Sequence, residues 1–427
     1  MTAIDASAAA APAVPVPAAP AVRFIGDVSA FWRLLVRGAM LLAITLGIYR
    51  FWLATDVRRF LWAHTEVNGD SLEYAGTAVE MLLGFLIAIA LLVPLYAMFF
   101  LLALSMGPVG QIVSALSLPA LAFLGQYAIY RARRYRLTRT VFRGVRFHQT
   151  GSALRYAVCA IFWWIMIALT VGLAYPFAQA SLERFKLRNT YYGNLAGRFE
   201  GSGFRLLLRG LPMWLLVVGP FLFTVAVAIA AVDWAAVAEL ASRGEADLPA
   251  RIEGAAPGFY ATIVVAITAS IVSVAMAAIL FPAFQAMMLR WWASGVRFGD
   301  LAMRSRLRTR QIYGAYLRFL LYGLVLLIAA AILAGIGYAV LLILIGTSAR
   351  PEVAEIATIV GGLVSYVFVM LGFSTIYQGT VKLALWRHGV ESLEIEGLEV
   401  LDRVKADGAA SSAVGEGLAD ALNVGGF

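Results

Sequence analysis

Long apolar runs alternate along the chain with short stretches in which arginines and aromatic residues are interleaved, and this alternation predicts the elements. Apolar runs occupy 78–105, 109–130, 153–176, 206–232, 259–281, 317–345 and 357–385, with a shorter one at 34–49 interrupted by Arg37. A helix needs roughly 20 apolar residues to cross a hydrocarbon core about 30 Å thick, so the pattern predicts a polytopic helical membrane protein. Many of the runs give way to an Arg-aromatic pair that a Gln precedes within two turns, on a short amphipathic basic helix that places rings at headgroup depth. An Asn/Thr and Gly turn follows, and then alternating residues as in GVRFHQTGS (144–152), GRFEGS (197–202) and SLEYAGT (71–77). The alternation predicts a short strand, and the Gly-Ser or Gly-Thr at its end predicts an N-cap that launches the next helix.

These stretches resemble one another. A shift of 125 positions lays 44–52 (ITLGIYRFW) on 169–177 (LTVGLAYPF), with Arg59 on Arg184, Thr65 on Thr190 and Gly76 on Gly201. A shift of 106 lays 175–185 on 281–291, and one of 75 lays Arg59, Thr65 and Gly69 on Arg134, Thr140 and Gly144. Self-similarity of this kind points to a repeated structural unit. The expected organisation is an Ala/Pro-rich disordered tail (1–21), a membrane domain (22–400) and a flexible tail (401–427). Within the domain 22–76 matches 147–201, with further repeat tails at 131–151, 281–310 and 377–397.

Composition agrees with the pattern: 62% of the 427 residues are hydrophobic, 14% are charged, and the mean hydropathy is +0.83. Charge distribution changes the topology. Of the 34 Lys and Arg residues, 28 lie in the five stretches 50–76, 131–155, 183–209, 290–318 and 382–405. If every apolar run crosses, the basic residues divide 20 against 14 between the two faces; if 34–52 and 153–177 enter and return, they divide 31 against 3. The positive-inside rule selects the second arrangement. The expected fold is therefore an all-α bundle of six spans in three hairpins (78–130, 206–285, 317–385), with two re-entrant or interfacial segments and short extended pieces on the cytoplasmic face. Eight spans is the alternative. Gly47 and Gly172, which share a register in the two re-entrant segments, are the candidate bends.

The TLGIY-x-x-W element (45–52), the basic-aromatic stretch and LEYAG (72–76), with Leu72 in the first place of F-x-Y-x-G, resemble the YjgN-like family of bacterial inner-membrane proteins, built around a domain of unknown function. The resemblance covers roughly residues 22–400. Phe51 stands where that family favours Pro before the Trp, and His64-Thr65 where it favours Asn-Thr; Pro176 and Asn189-Thr190 restore the pattern in the second copy. The resemblance implies an inner-membrane location and brings no catalytic residue, cofactor or metal.

The residues themselves offer little chemistry of reaction. The three histidines, His64, His148 and His388, have no metal-ligand spacing, and nucleophile and phosphate-loop motifs are missing from the sequence. Neither an enzyme nor a cofactor is expected. The arginine-rich stretch 130–148 reads as topogenic charge and as contact with anionic lipid, worth about 1 kcal/mol per basic residue near the surface, rather than as a nucleic-acid site. Arg59, Arg134, Arg184 and Arg290 are the candidate headgroup contacts, and Gln126, Gln179, Gln285 and Gln378 the candidates for a shared polar interior. The expected function is transport or lipid handling at a site between related halves. The alternative is a non-catalytic scaffold that binds partners, of unknown identity, through its basic face.

Overall fold

The computed structural model describes residues 21–104, 107–243, 258–345, 351–407 and 413–422. Ten short strands form one antiparallel sheet in sequential order, β1 to β10, and helices rise from one rim of it. The strands are β1 (Val22–Phe24), β2 (Thr65–Val67), β3 (Asp70–Tyr74), β4 (Thr140–Phe142), β5 (Val145–Gln149), β6 (Thr190–Tyr192), β7 (Leu195–Phe199), β8 (Val296–Phe298), β9 (Leu301–Ser305) and β10 (Leu393–Glu396). The first and last strands approach within 8 Å at their Cα atoms, so the sheet curls into a near-closed ring. The all-α expectation is corrected here. The extended pieces pair with one another across 40 to 96 intervening residues, as in Tyr74↔Thr140, Gln149↔Thr190 and Phe199↔Val296, and no local pattern announces such pairing.

Each hairpin joins a three-residue strand to a five-residue strand through a two-residue turn. Asn68-Gly69 and Arg143-Gly144 carry positive φ at both turn residues (52° and 90°, 47° and 74°), the type I′ geometry that suits the twist of paired strands. In Gly193-Asn194 and Gly299-Asp300 only the glycine is positive (52° and 56°), as a type II′ turn requires.

The helices are α1 (Val28–Ile44), α2 (Arg50–Ala63), α3 (Ala78–Ala103), α4 (Pro108–Thr138), α5 (Ala153–Leu169), α6 (Tyr175–Arg188), α7 (Gly203–Ala231), α8 (Trp234–Arg243), α9 (Phe259–Gly295), α10 (Thr309–Ile345), α11 (Pro351–Tyr377), α12 (Leu383–Glu391) and α13 (Val414–Ala421). A π-turn, Gln378–Lys382, makes α11 and α12 one continuous helix. Three helices start where the sequence predicts a cap, with Thr77 accepting from the Glu80 amide, Ser152 from Arg155 and Ser202 from Arg205, and α1 starts at Asp27, which accepts from the Ser29 and Ala30 amides.

Among the described residues six helices are long and apolar enough to cross a membrane: α3, α4, α7, α9, α10 and the α11–α12 helix. Their apolar side chains point outward, with Phe100 64%, Ile229 71% and Leu320 64% exposed. The buried core lies where helices meet the ring, for example Leu187, Phe199, Leu206, Met287 and Trp291 together. At 17 residues each, α1 and α5 are about 26 Å long, at 1.5 Å per residue, and each ends at a sharp turn. Leu46 and Gly47 have φ of 50° and 95°; Val171 and Gly172 have 50° and 93°. In both turns a threonine joins the two helices: Thr45 donates to Leu41 O and accepts from the Tyr49 amide, and Thr170 donates to Met166 O and accepts from the Ala174 amide.

Candidate functional site

The four basic-aromatic stretches carry one recurring bond. Arg59, Arg184 and Arg290 donate to the carbonyl 17 residues further on, at Gly76 (2.9 Å), Gly201 (3.1 Å) and Leu307 (2.9 Å), and Arg134 donates in the same way to Gly151. These four arginines therefore tie each helix to the end of its own hairpin.

Positions one before and two after this arginine lie three apart, on one face of the helix. They hold Arg58 and Leu61, Arg133 and Arg136, Glu183 and Lys186, and Leu289 and Trp292. Arg58, 5% exposed, donates through Nη1 to the Tyr74 hydroxyl (3.1 Å) and through Nη2 to Glu416 Oε1 (2.5 Å). The other Glu416 oxygen lies 3.9 Å from Arg136 Nε. Further round, Glu183 accepts from Lys186 and from Trp292 Nε1 (3.1 Å), while Arg133 donates to Thr190 Oγ1 (3.3 Å). Five cations thus form a row in which neighbours repel one another: Lys186, Arg133, Arg136, Arg58 and Lys382. Two carboxylates, Glu183 and Glu416, are set into it. Burial opposes the charge on Arg58, and the Glu416 carboxylate and Tyr74 more than offset it. Burial wins at Lys186, whose ammonium sits below its usual pKa despite Glu183.

The row opens at one end on a cavity of about 260 Å³ between α1, α2, α11 and α13. Arg50, Arg58, Lys382, Glu416 and Asp420 supply its polar wall, and Ala39, Leu42, Leu53 and Leu371 its apolar wall. Arg50 and Asp420 form an ion pair across the mouth. Burial raises the Asp420 carboxyl pKa, which Arg50 partly offsets. A second cavity, of about 410 Å³, lies among α5, α6, α7 and α9 and is lined by side chains such as Leu173, Trp214, Phe281 and Met287, with no charged group.

The predicted glutamines do not converge. Only Gln378 borders the polar cavity, and Gln285 Oε1 accepts from the Tyr316 hydroxyl (2.9 Å). Counted from the carbonyl-binding arginine, Gln179 and Gln285 lie five residues before it and Gln126 eight, and Lys382 takes the fifth place before Arg387. Sequence reasoning missed Glu416 and Asp420 altogether. The tail expected to be flexible over 401–427 carries α13, which packs on α3 and α4. The nearest signal was the pair of acids four residues apart, opposite Arg50 and Arg58 eight apart. The predicted N-terminal tail lies outside the described residues, apart from its last residue.

Six helices of spanning length, a half-length pair on either side of the first spanning hairpin, and a strand ring at one end define a multi-pass membrane protein. The chain belongs to the family described as "Bacterial protein of unknown function (DUF898)", which matches residues 19–421. It is also similar to the Inner membrane protein YjgN of Escherichia coli (strain K12), 27% identical over 151 residues. That match covers 35% of this chain and 35% of the relative, so about a third of the relative's length is spanned. No solved structure matches. The relative's name places that protein in the inner membrane, and the six apolar helices of this chain agree with a multi-pass membrane protein.

Proposed function

We propose that this protein handles phospholipid, seating an anionic headgroup in the cavity beside Arg58 and Lys382 while the acyl chains stay in the bilayer. The observation that carries the reading is the union of a buried cationic row with an apolar wall in one cavity. At about 260 Å³ the cavity is below the roughly 300–1,000 Å³ of sites that enclose a whole small molecule. It therefore suits a headgroup rather than an entire lipid. Phe147 lies 4.7 Å and 6.4 Å from the ring centres of Tyr192 and Phe298, so aromatic rings join β5, β6 and β8, and no solute path through the ring is proposed. No catalytic step is assigned. The common register of the four carbonyl-binding arginines supports a unit multiplied within the chain.

Protein purified in mild detergent should retain phospholipid, measurable as bound phosphorus and by native mass spectrometry. Arg133→Gln with Lys382→Gln should reduce the retained phosphatidylglycerol several-fold and leave neutral lipid unchanged. Phosphorus-free protein that instead holds a protein partner on its basic face would favour the scaffold reading.

The ring is assigned to the cytoplasmic face because the basic stretches cluster there. In a Cys159→Ala background, cysteines at Arg143 and Arg198 should react only from the cytoplasmic side, and cysteines at Asp233 and Glu352 only from the other. Labelling of 143 and 198 from opposite sides would restore eight spans.

A further inference from the structure

We infer that the Glu416 carboxylate of α13 occupies the seat of the ligand's phosphate, so that the C-terminal helix and an anionic phospholipid exclude each other. The inference rests on the lipid-handling reading above. Three observations carry it, the first being how the seat is used. Glu416, 4% exposed, gives one oxygen to Arg58 Nη2, while Arg58 Nε and Glu416 Oε2 have no hydrogen-bond partner. A guanidinium edge offers two parallel donors to an oxyanion. Here one donor is used, at a buried site where an unused donor is costly. A phosphodiester can take both donors of that edge with its two non-bridging oxygens, and Arg136 stands 3.9 Å from the second oxygen of the seat.

The second observation is how α13 is held. Its eight residues are far too few to form a stable helix alone. Glycines let it lie directly on its neighbours: a Cβ on Gly417 would come 1.9 Å from the Gly84 carbonyl carbon, and one on Gly415 2.3 Å from Arg131 Cβ. Ala419 packs on Ala128 and Ala132, with Leu418 and Leu422 beside them. Charge and close fit hold the helix.

The third is the match of charges. Glu416 and Asp420, one turn apart, face Arg58 and Arg50 of α2, so the helix presents two anions to the cations that border the cavity. The chain leading to α13 is fixed on the ring hairpins, where Lys405 and Asn194 exchange backbone and side-chain bonds (3.0 and 3.2 Å) and Arg143 pairs with Asp402. A helix tethered there is free to leave the seat without leaving the protein.

The test uses full-length protein in detergent with short-chain phosphatidylglycerol as probe and uncharged diacylglycerol as control. Gly417→Leu removes the helix by steric conflict and leaves the cavity's cations, Arg50, Arg58 and Lys382, in place; Glu416→Gln leaves the helix and removes the charge that pairs with Arg58. Both should bind phosphatidylglycerol at least tenfold more tightly than the unaltered chain. Saturating the unaltered chain with lipid should speed amide exchange over 414–421. If the lipid binds all three proteins equally, or exchange over 414–421 does not change at saturation, the exclusion is overturned and the lipid reading stands. If none of the three binds the lipid in preference to diacylglycerol, the lipid reading falls and this inference with it. Should Gly417→Leu fail to fold, Glu416→Gln alone decides between these outcomes.

Discussion

Arg58→Ala releases the C-terminal helix. Removing one partner of a buried ion pair leaves the other charge stranded, at a cost of about 3–5 kcal/mol when the stranded group cannot escape. Glu416 can escape, because it rides on an eight-residue helix that is tethered at one end. The loss is therefore capped at the free energy with which α13 docks, and the response is undocking rather than unfolding. Amide exchange over 414–421 should rise by at least two orders of magnitude, while the melting temperature of the remainder moves by only a few degrees. Arg58→Lys should fall between, since an ammonium cannot satisfy Tyr74 and Glu416 with the same planar geometry. Removing both charges, Arg58→Ala with Glu416→Ala, should recover part of the protection that the single change loses. Unaltered exchange over 414–421 in Arg58→Ala would mean that apolar contact alone seats the helix.

Gly172→Val should be the most damaging single change in the helix turns, and worse than Gly47→Val. Both glycines have φ near +95°, a region that costs a residue with a Cβ about 1–2 kcal/mol, and a β-branched side chain fares worst there. A Cβ on Gly47 meets no atom within 4 Å, so strain is its whole penalty. On Gly172 it lies 3.3 Å from Trp214 Nε1, the group that donates to Val171 O (2.8 Å) and locks the turn onto α7. Losing that bond adds about 1 kcal/mol. Together these predict a loss near 3 kcal/mol for Gly172→Val, or roughly 6–12 °C in melting temperature at about 2–4 °C per kcal/mol for larger chains. Alanine would be harmless only with φ negative; at the observed φ, Gly47→Ala and Gly172→Ala are both destabilising. Equal melting shifts for the Val changes at 47 and 172 would show that Trp214 contributes nothing.

Much of this architecture is legible in the sequence, and the missing parts have physical reasons. Hydropathy marks the six long helices among the apolar runs, because lipid-facing surfaces need no partner to declare themselves, and the charge distribution is what separates 34–52 and 153–177 from them. The glycines at 47 and 172 announce the turns, since backbone of that handedness nearly requires glycine. The hairpin residues are readable as short extended pieces; their union into a ring is not, because each strand spends three to five residues on partners far away in sequence. The site escapes for two further reasons. Arg58 and Arg133 sit next to Arg59 and Arg134, and composition does not reveal which of two adjacent arginines turns inward. The Gly, Ala and Ser around 408–419 read as flexible chain, although Gly415 and Gly417 are what let α13 lie against α3 and α4.

The seam of the ring ties the two ends of the chain to each other. Strand β1 is the first described element of the chain, and β10, which meets it, precedes only a 3-10 turn and α13 among the described elements. Trp386 reaches across to Thr65 Oγ1 (3.0 Å) and stacks on Trp62 at 4.7 Å. Until some 370 further residues have been made and inserted, β1 presents an unpaired edge of the kind that recruits foreign strands. The short length of every strand keeps that edge small during the wait. Ring closure thus waits for residue 393: a chain stopped anywhere before it keeps an open sheet, and it also lacks the anionic helix that follows.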